Sequence, residues 1–476
     1  MNTAHICVIQ PGFDISSLAY LDHALDLQRG LQALGVEASI GKNRFKADRI
    51  NLVLGAHLGA DPQALRDHPC ILFNLERLGV GAPEPSPHYL GLLRSHVVMD
   101  IDTRNAQAYL PEGRAANLIR LTGTHALKGV RMPLAQRPIG LLYQGPVNQR
   151  TSPILAQIEQ AGVTIAKLDD AIQGPERHSI LESTRAVLRL LDSDDASFDL
   201  AACAPVWWAG TPVVAERPTS LPVDPFYSEA IHWFNRDDAG RFFASSFSGQ
   251  DFEERSRHML DSLGSQGAER TDLAAFMALA QSVVAAHRGT PVLTRLNADL
   301  RAGAYAQGWL NVGAHRADVP DVQTDLGTAS NLPPVLSKRM GSFDLIQGGA
   351  MVPGSDSAAT LLGHAMTLLR PEGVIIIKVP GQALKAGLDA SSAVKECLAD
   401  ATQRFWRSGW LTHRFQVAHI GWLDAAGLPL NDEAVRELGG QRSLGSVTAR
   451  VVLRKVETTF PERARARACS EDFGLG

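Results

Sequence analysis

The chain has 476 residues, of which 45% are hydrophobic and 20% charged, and its formal net charge is −4. A chain of this length exceeds a single hydrophobic core and predicts about three domains. The small net charge gives no electrostatic basis for binding nucleic acid or an anionic membrane surface. No apolar run reaches the roughly 18 residues that are needed to span a bilayer.

Cysteine usage and the first residues predict a cytoplasmic protein. The five cysteines are scattered, and no two have the spacing of a metal site or a redox pair. We therefore expect the reduced thiols of a cytosolic protein. The first predicted strand, residues 5–10, follows no basic segment, so we expect no signal peptide.

Residues 1–135 alternate between strand and helix patterns. A helical stretch at 18–34 is ended by Gly35, and short apolar runs around it have the length of buried strands. The predicted strands are residues 5–10, 36–40, 50–54, 70–74 and 96–99. Repeated βα units of this kind predict a parallel, doubly wound sheet.

Residues 136–265 repeat the pattern. Strand 139–143 runs into a polar loop, after which Ser152 suits a helix N-cap, Pro153 its first turn and Gly162 its end. The further predicted elements are strand 163–168, helix 177–184, strands 186–191 and 212–215, and a strand and helix within 228–253. The polar loop lies at the carboxyl end of a strand and at a helix N-terminus, which is where α/β proteins bind phosphates. We expect the two α/β domains to face each other across a ligand-binding cleft.

A third α/β domain is predicted at 309–457, after a helical connector at 266–308 and before a flexible tail at 458–476. Its predicted elements are strands 309–312, 323–326, 342–349 and 374–379, helices 358–369 and 391–407, and an antiparallel pair at 413–424 and 446–456. The predicted fold class is therefore α/β, with two facing Rossmann-like domains followed by a third.

Five segments of the first 265 residues resemble bacterial glycosyltransferases of the GT-B fold, which use nucleotide-sugar donors. The segments are FNLERL, VMDIDTRN, LLYQGPVNQRTSPILAQIEQAGV, GPERHSILESTRAVLRLL and FDLAACAPVWWAGTPVVAE. The resemblance implies an acceptor domain at 1–135 and a donor domain at 136–265, with a nucleotide-diphosphate sugar as the donor.

The loop after strand 139–143 resembles the family's Gly-x-x-Asn-x-Arg loop. The resemblance implies that the Gly145 backbone allows close approach of the donor, that Asn148 hydrogen-bonds to it, and that Arg150 pairs with phosphate.

Later positions complete the implied donor site. Glu176 and Arg177 begin a helix, and Arg177 would stabilise the charge of the leaving diphosphate. Glu216 directly follows the apolar residues of strand 212–215 and would accept hydrogen bonds from ribose or sugar hydroxyls. Asp199 matches the acidic position of the family's donor-holding helix, but Ala202 stands three residues on, where the family has arginine.

Two carboxylates are candidates for activating the acceptor. Glu76 and Asp102 are predicted to follow strands at the cleft edge, where a carboxylate can take a proton from a hydroxyl group. The histidines of the acceptor half are individually weaker candidates, because a lone histidine is more often structural.

Residues 309–456 resemble class I S-adenosylmethionine-dependent methyltransferases. The matching segments are WLNVGAHRADVPDVQTDL, FDLI, LLRPEGVIIIKVP and LRKV. The resemblance implies that Gly313 belongs to the family's Gly-x-Gly loop and that Asp325 is the acid that holds the cofactor's ribose. His315 replaces the second loop glycine, and residues 347–351 and 381–394 also depart from the family pattern. These departures favour a domain that serves packing, docking or dimerisation over one that binds S-adenosylmethionine.

Three hypotheses follow for the whole chain. An enzyme is favoured: a glycosyltransferase that moves a sugar from a nucleotide-diphosphate donor to a bacterial glycan or protein, with an appended methyltransferase-like module. The second is a methyltransferase that acts on a sugar or glycan. The third is a non-catalytic scaffold or partner subunit in glycan or glycoprotein assembly.

Overall fold

The computed structural model describes residues 3–10, 15–111, 115–121, 132–169, 172–219, 223–249, 251–265, 268–287, 293–299, 305–315, 320–352, 355–381, 413–425, 428–431 and 447–458. The chain divides into two compact units, residues 1–290 and 291–476. Among the described helices, none is both long and apolar enough to cross a membrane.

Strands supply the framework of both units. They are β1 Thr3–Val8, β2 Glu37–Lys42, β3 Ile50–Leu54, β4 Cys70–Asn74, β5 Val97–Asp100, β6 Asn117–Leu118, β7 Ile139–Tyr143, β8 Ile165–Lys167, β9 Thr184–Arg189, β10 Val213–Glu216, β11 Ile231–Phe234, β12 Arg295–Asn297, β13 Leu310–Gly313, β14 Val322–Gln323, β15 Phe343–Ala350, β16 Leu369–Pro380, β17 His413–Leu423, β18 Pro429–Leu430 and β19 Thr448–Glu457.

Helices connect and cover these strands. They are α1 Leu21–Ala33, α2 Pro62–Asp67, α3 Pro87–Ser95, α4 Thr103–Ala106, α5 Thr151–Gln160, α6 Pro175–Glu182, α7 Ala204–Trp208, α8 Pro225–Ser228, α9 Ala239–Phe242, α10 Asp251–Ser265, α11 Ala268–His287, α12 Pro334–Ser337 and α13 Asp356–Leu368.

The first sheet has the strand order β2-β1-β3-β4-β5-β6, and its described pairings are parallel. Every residue of β3 and β4 is buried. Continuous apolar strands of this kind form where both faces of a parallel sheet are covered, as βα crossovers require. The predicted doubly wound sheet is confirmed, and the predicted bounds of β3 and β4 match those observed.

The second sheet has the order β11-β10-β9-β7-β8 and is also parallel. Strand β7 lies between β8 and β9. The chain passes from β7 to β8 on one side and then crosses to β9 on the other side. Such a switch point opens a crevice at the carboxyl ends of the two strands, here β7 and β9. The β7 bounds and the end of α5 before Gly162, which has φ +85°, agree with the sequence.

Helix α11 joins the two sheets of the first unit. It follows the second sheet in the chain, yet it lies against α1, β3 and β4 of the first. Its Leu273, Phe276 and Met277 belong to one buried cluster with residues of both sheets. Arg120, just beyond β6, donates hydrogen bonds of 2.8 and 2.9 Å to the Asp272 carboxylate of α11. These contacts explain why two predicted domains form one compact unit.

The second unit contains a sheet of order β14-β13-β12-β15-β16-β19-β17-β18. The pairings from β14 to β16 are parallel, whereas β19 pairs antiparallel with both β16 and β17. The predicted closing antiparallel pair is therefore confirmed. Buried Lys455 of β19 donates hydrogen bonds to the carbonyls of Met366 and Leu369, at the end of α13.

Some elements differ from the sequence expectations. Strand β12 lies inside the predicted helical connector, and three residues are too few to give a strand pattern. Asp325 was expected in a strand but lies in a turn, where its carboxylate accepts the Gly327 N–H at 2.8 Å. Thr458, placed in the predicted tail, is buried. The predicted helix 391–407 lies outside the described residues.

Candidate functional site

A cavity of about 580 Å³ lies in the first unit. Residues that follow β3 and β4 of the first sheet form one wall, and residues that follow β7 and β9 of the second sheet form the other. The predicted cleft between two α/β halves is therefore present. It contains the switch point of the second sheet, which is the expected ligand position in an open α/β sheet.

Gln144 and Gly145 follow β7 and line the cavity. Gly145 has φ +155°, and a Cβ placed there would lie 2.9 Å from the Tyr143 hydroxyl oxygen. A side chain at this position would be both strained and crowded, so glycine keeps the loop backbone open to the cavity.

Two arginines surround Gln144. Arg177 of α6 donates a 3.0 Å hydrogen bond to the Gln144 side-chain oxygen, and its guanidinium lies 3.7 Å from the Asp22 carboxylate. Arg189, the last residue of β9, donates to the Gln144 backbone carbonyl at 3.5 Å. Both line the cavity and both are largely buried, with side-chain exposures of 6% and 14%. Two guanidinium groups of low exposure thus lie around one residue at the switch point.

Arg189 was missed by sequence reasoning, which placed it inside the predicted strand 186–191. The strand ends at Arg189, so its side chain can reach the cavity edge. Its guanidinium lies 3.6 Å from the Asp199 carboxylate, which also accepts the Ala202 N–H at 3.0 Å. The cation expected near Asp199 from the following helix is therefore supplied from β9 instead.

Arg150 and Glu216 pair with each other. The guanidinium donates hydrogen bonds of 2.8 and 2.6 Å to the two Glu216 oxygens, and a third of 2.9 Å to Asp194. Glu216 has a side-chain exposure of 4%, and neither Arg150 nor Glu216 lines the cavity. The residue predicted to bind phosphate therefore forms an ion pair with the residue predicted to bind the sugar.

Two further predicted donor residues also lie outside the cavity lining. The Asn148 side chain accepts the N–H groups of Arg150 and Thr151 and so holds the start of α5. Glu176 is exposed in the first turn of α6, where a carboxylate is favoured by the helix dipole.

The opposite wall carries a cluster of Tyr20, His57 and Glu76. The Tyr20 hydroxyl donates to Glu76 Oε1, and His57 Nε2 lies 3.4 Å from the same hydroxyl. His57 Nδ1 is 3.8 Å from Glu76 Oε1. Burial lowers the pKa of His57, against the opposing effect of the Glu76 charge, and burial raises the pKa of Tyr20. Glu76 Oε2 receives no hydrogen bond from the described part of the chain, so it is available to a ligand.

Asp102 does not line this cavity but lies in a second, adjoining one. Its carboxylate caps α4, accepting the Arg104 N–H at 2.9 Å, and pairs with the Arg104 guanidinium. These contacts occupy the carboxylate, unlike that of Glu76.

Asp100, at the end of β5, is the most buried carboxylate near the cleft. It accepts hydrogen bonds from Asn74, Asn105 and Tyr109. Burial raises its pKa to about 6, against the lowering effect of these donors. The network fixes the carboxyl ends of β4 and β5, and it therefore positions the Glu76 segment.

Contacts between loops join the two walls. Arg77 donates to the Asp192 carboxylate and to the Ser197 carbonyl, both at 2.8 Å. The Ser197 N–H in turn donates to the Gly81 carbonyl at 2.7 Å. Among the described residues, no group of three or more His, Cys, Asp or Glu side chains could hold a metal ion.

The second unit has its own cavity, of about 380 Å³, lined by Gly313 and Asp325 among others. Gly313 ends β13, which is the second strand of this unit's sheet, and Asp325 follows the third strand, β14. The family pattern places its glycine after the first strand and its acid after the second. Both residues are therefore one strand beyond their expected places, and they do not fit the assigned roles toward S-adenosylmethionine. Asp299, which follows the first strand, instead pairs with Lys378 at 3.3 Å.

Comparisons with known proteins gave matches among solved structures. No protein-family model matches the sequence, and no curated protein matches it. AviGT4, a glycosyltransferase involved in avilamycin A biosynthesis, is 12% identical with a TM-score of 0.38, over 60% of this chain and 99% of AviGT4. HepE from Anabaena, in complex with UDP and glucose, is 10% identical with a TM-score of 0.36, over 59% and 100% of the two chains. The antibiotic-resistance methyltransferase Kmr is 11% identical with a TM-score of 0.22, over 38% and 94%.

Proposed function

We propose that the first unit is a glycosyltransferase that binds a nucleotide-diphosphate sugar and transfers the sugar to an acceptor hydroxyl group. The observation that carries the proposal is the pair Arg177 and Arg189, which lie around Gln144 at the switch point of the second sheet. Glu76 lines the same cavity from the opposite wall.

The arginine pair suits a diphosphate. Guanidinium groups bind phosphate oxygens through paired hydrogen bonds, and low exposure strengthens each charge–charge contact. The Asp22 carboxylate lies 3.7 Å from Arg177 and the Asp199 carboxylate lies 3.6 Å from Arg189, and both distances are longer than a direct hydrogen bond. A diphosphate that binds here would replace these two long contacts with direct hydrogen bonds.

The proposed reaction uses both walls. An acceptor oxygen forms a bond to the anomeric carbon of the sugar, and the bond from that carbon to the diphosphate oxygen breaks with its electron pair. The nucleoside diphosphate leaves as an anion, which Arg177 and Arg189 stabilise. The acceptor proton passes to the Glu76 carboxylate, held through its other oxygen by Tyr20.

S-adenosylmethionine is not part of this proposal. Gly313 and Asp325 stand one strand from the places that the methyltransferase pattern requires. We propose no reaction for the second unit, and packing, docking or dimerisation remains its proposed role.

Calorimetry with UDP, GDP, ADP and dTDP tests the proposal. We expect at least one nucleotide to bind, and we expect Arg177→Gln and Arg189→Gln each to weaken binding by roughly 10- to 100-fold, since a hydrogen bond to a charged group contributes about 1.5–3 kcal/mol. Arg241→Gln is the matched control, because that side chain is 81% exposed and lies outside the cavity lining. Failure of the wild-type protein to bind any nucleotide, or full affinity in both cavity variants, would overturn the proposal.

A further inference from the structure

A second cavity, of about 280 Å³, adjoins the first. Residues 75–78 and 197–199 line both cavities, so the two spaces share a wall. Glu76 is in that wall, and its side chain is 38% exposed. A ligand in the second cavity can therefore place one end at the Glu76 carboxylate while another ligand occupies the first.

Apolar residues form about half of the lining of the second cavity. Leu78, Ile101, Phe198 and Leu200 are buried hydrophobic residues in its wall, and Val80 stands at its rim with 79% exposure. This volume is just below the roughly 300–1,000 Å³ that is typical of pockets for drug-sized ligands. The space suits a compact apolar group better than an extended, heavily hydrated chain.

The charged groups in this wall already have opposite charges beside them. Arg104 is paired with Asp102, and Arg77 is paired with Asp192. An anionic ligand in this cavity would have to displace these short contacts. The second cavity therefore favours an uncharged ligand, and it does not repeat the diphosphate site.

We propose that the second cavity binds the acceptor, and that the acceptor is a small uncharged alcohol or phenol with an apolar body. The inference rests on the proposed function, and it replaces the glycan or protein acceptor expected from the sequence with a small molecule. The apolar body packs between Phe198 and Leu78, and the hydroxyl group donates to Glu76 Oε2. The Tyr20 hydrogen bond to Oε1 leaves Oε2 available for this contact.

The test uses the full chain and a fluorescent phenol, 4-methylumbelliferone, whose quenching reports binding. The wild-type protein is expected to bind the phenol both with and without saturating UDP. Val80→Asp, which puts a carboxylate at the cavity rim, is expected to weaken phenol binding at least fivefold and to leave UDP affinity unchanged. Val335→Asp is the matched control, because Val335 is 53% exposed and belongs to the second unit.

The outcomes separate the two proposals. If the wild-type protein binds neither UDP nor any other nucleotide diphosphate, the glycosyltransferase proposal is wrong, whether or not the phenol binds. If a nucleotide binds but the phenol does not, or if Val80→Asp and Val335→Asp behave alike, the acceptor assignment falls alone. Binding of a neutral oligosaccharide or a serine-containing peptide that Val80→Asp weakens, in place of the phenol, would also overturn the apolar acceptor.

Discussion

The pair Arg150 and Glu216 allows a direct test of how the donor-side loops are held. The guanidinium makes two short hydrogen bonds to Glu216 and one of 2.7 Å to the Leu191 carbonyl, and Glu216 also accepts the Leu191 N–H at 3.1 Å. Their side-chain exposures are 14% and 4%. Removal of one partner of a buried ion pair costs about 3–5 kcal/mol, because the other charge is left uncompensated.

The two single substitutions are expected to differ. After Arg150→Met, the Leu191 N–H is the one hydrogen-bond donor that the described residues still offer to the buried Glu216 carboxylate, so we expect a loss of about 3–4 kcal/mol. After Glu216→Gln, Arg150 retains Asp194, which is 70% exposed, so we expect a smaller loss of about 2–3 kcal/mol. The double variant should lose less than the sum of the two, by about 2 kcal/mol of coupling.

Urea unfolding followed by tryptophan fluorescence measures these changes, with Arg241→Gln as the surface control. Nucleotide calorimetry on the folded Arg150→Met variant should show affinity within about threefold of wild type. If the double variant loses as much stability as the two single variants together, Arg150 and Glu216 are not coupled as a buried ion pair. A loss of nucleotide affinity as large as that of Arg177→Gln would restore Arg150 as a phosphate ligand.

Three further predictions follow from individual contacts. Burial lowers the pKa of His232 to about 4, so between about pH 6.5 and pH 4 the unfolded state gains this proton before the folded state does. As the pH falls through that range, this histidine should lower the free energy of unfolding by up to about 1.4 kcal/mol per pH unit. Burial lowers the pKa of His5 and His23 in the same way, so in urea titrations His232→Gln should reduce the slope by one such contribution and leave the rest. Gly145→Ala should weaken nucleotide binding severalfold in calorimetry, because its Cβ would lie 2.9 Å from the Tyr143 oxygen; unchanged affinity would contradict a crowded loop. Lys455→Met should destabilise the second unit by about 1–3 kcal/mol in urea unfolding, because two carbonyls at the end of α13 lose their donor; an unaltered midpoint would show that water replaces it.

Local patterns predicted much of the fold. Apolar runs such as β3, β4 and β7 need no partner to be recognised, because length and composition alone mark a buried strand. The three-residue β12 had no such pattern, since its place is set by pairing with β13 and β15.

The candidate site was predicted less completely, for a similar reason. Arg177 could be located because the Glu-Arg pair in the segment GPERHS resembles the start of a helix in the glycosyltransferase family. The partner of Arg150 is 66 positions away in the chain, at Glu216, and no local pattern reveals that they meet. Arg189 looked like part of a strand interior, and only the observed strand end brings it to the cavity.

Helix α11 determines how this chain can be divided. Because α11 lies against β3 and β4, a gene segment that encodes only residues 1–135 would specify a first sheet with one apolar face bare. His287, the last residue of α11, also contacts the Asp67 carbonyl of the first half at 3.0 Å. Recombination that exchanges the second half for that of another protein must therefore keep α11 with the first half. An exchange that keeps the first sheet covered would therefore have to retain residues 1–135 and 268–287 together. These two ranges are separated in the sequence by the second half of the unit.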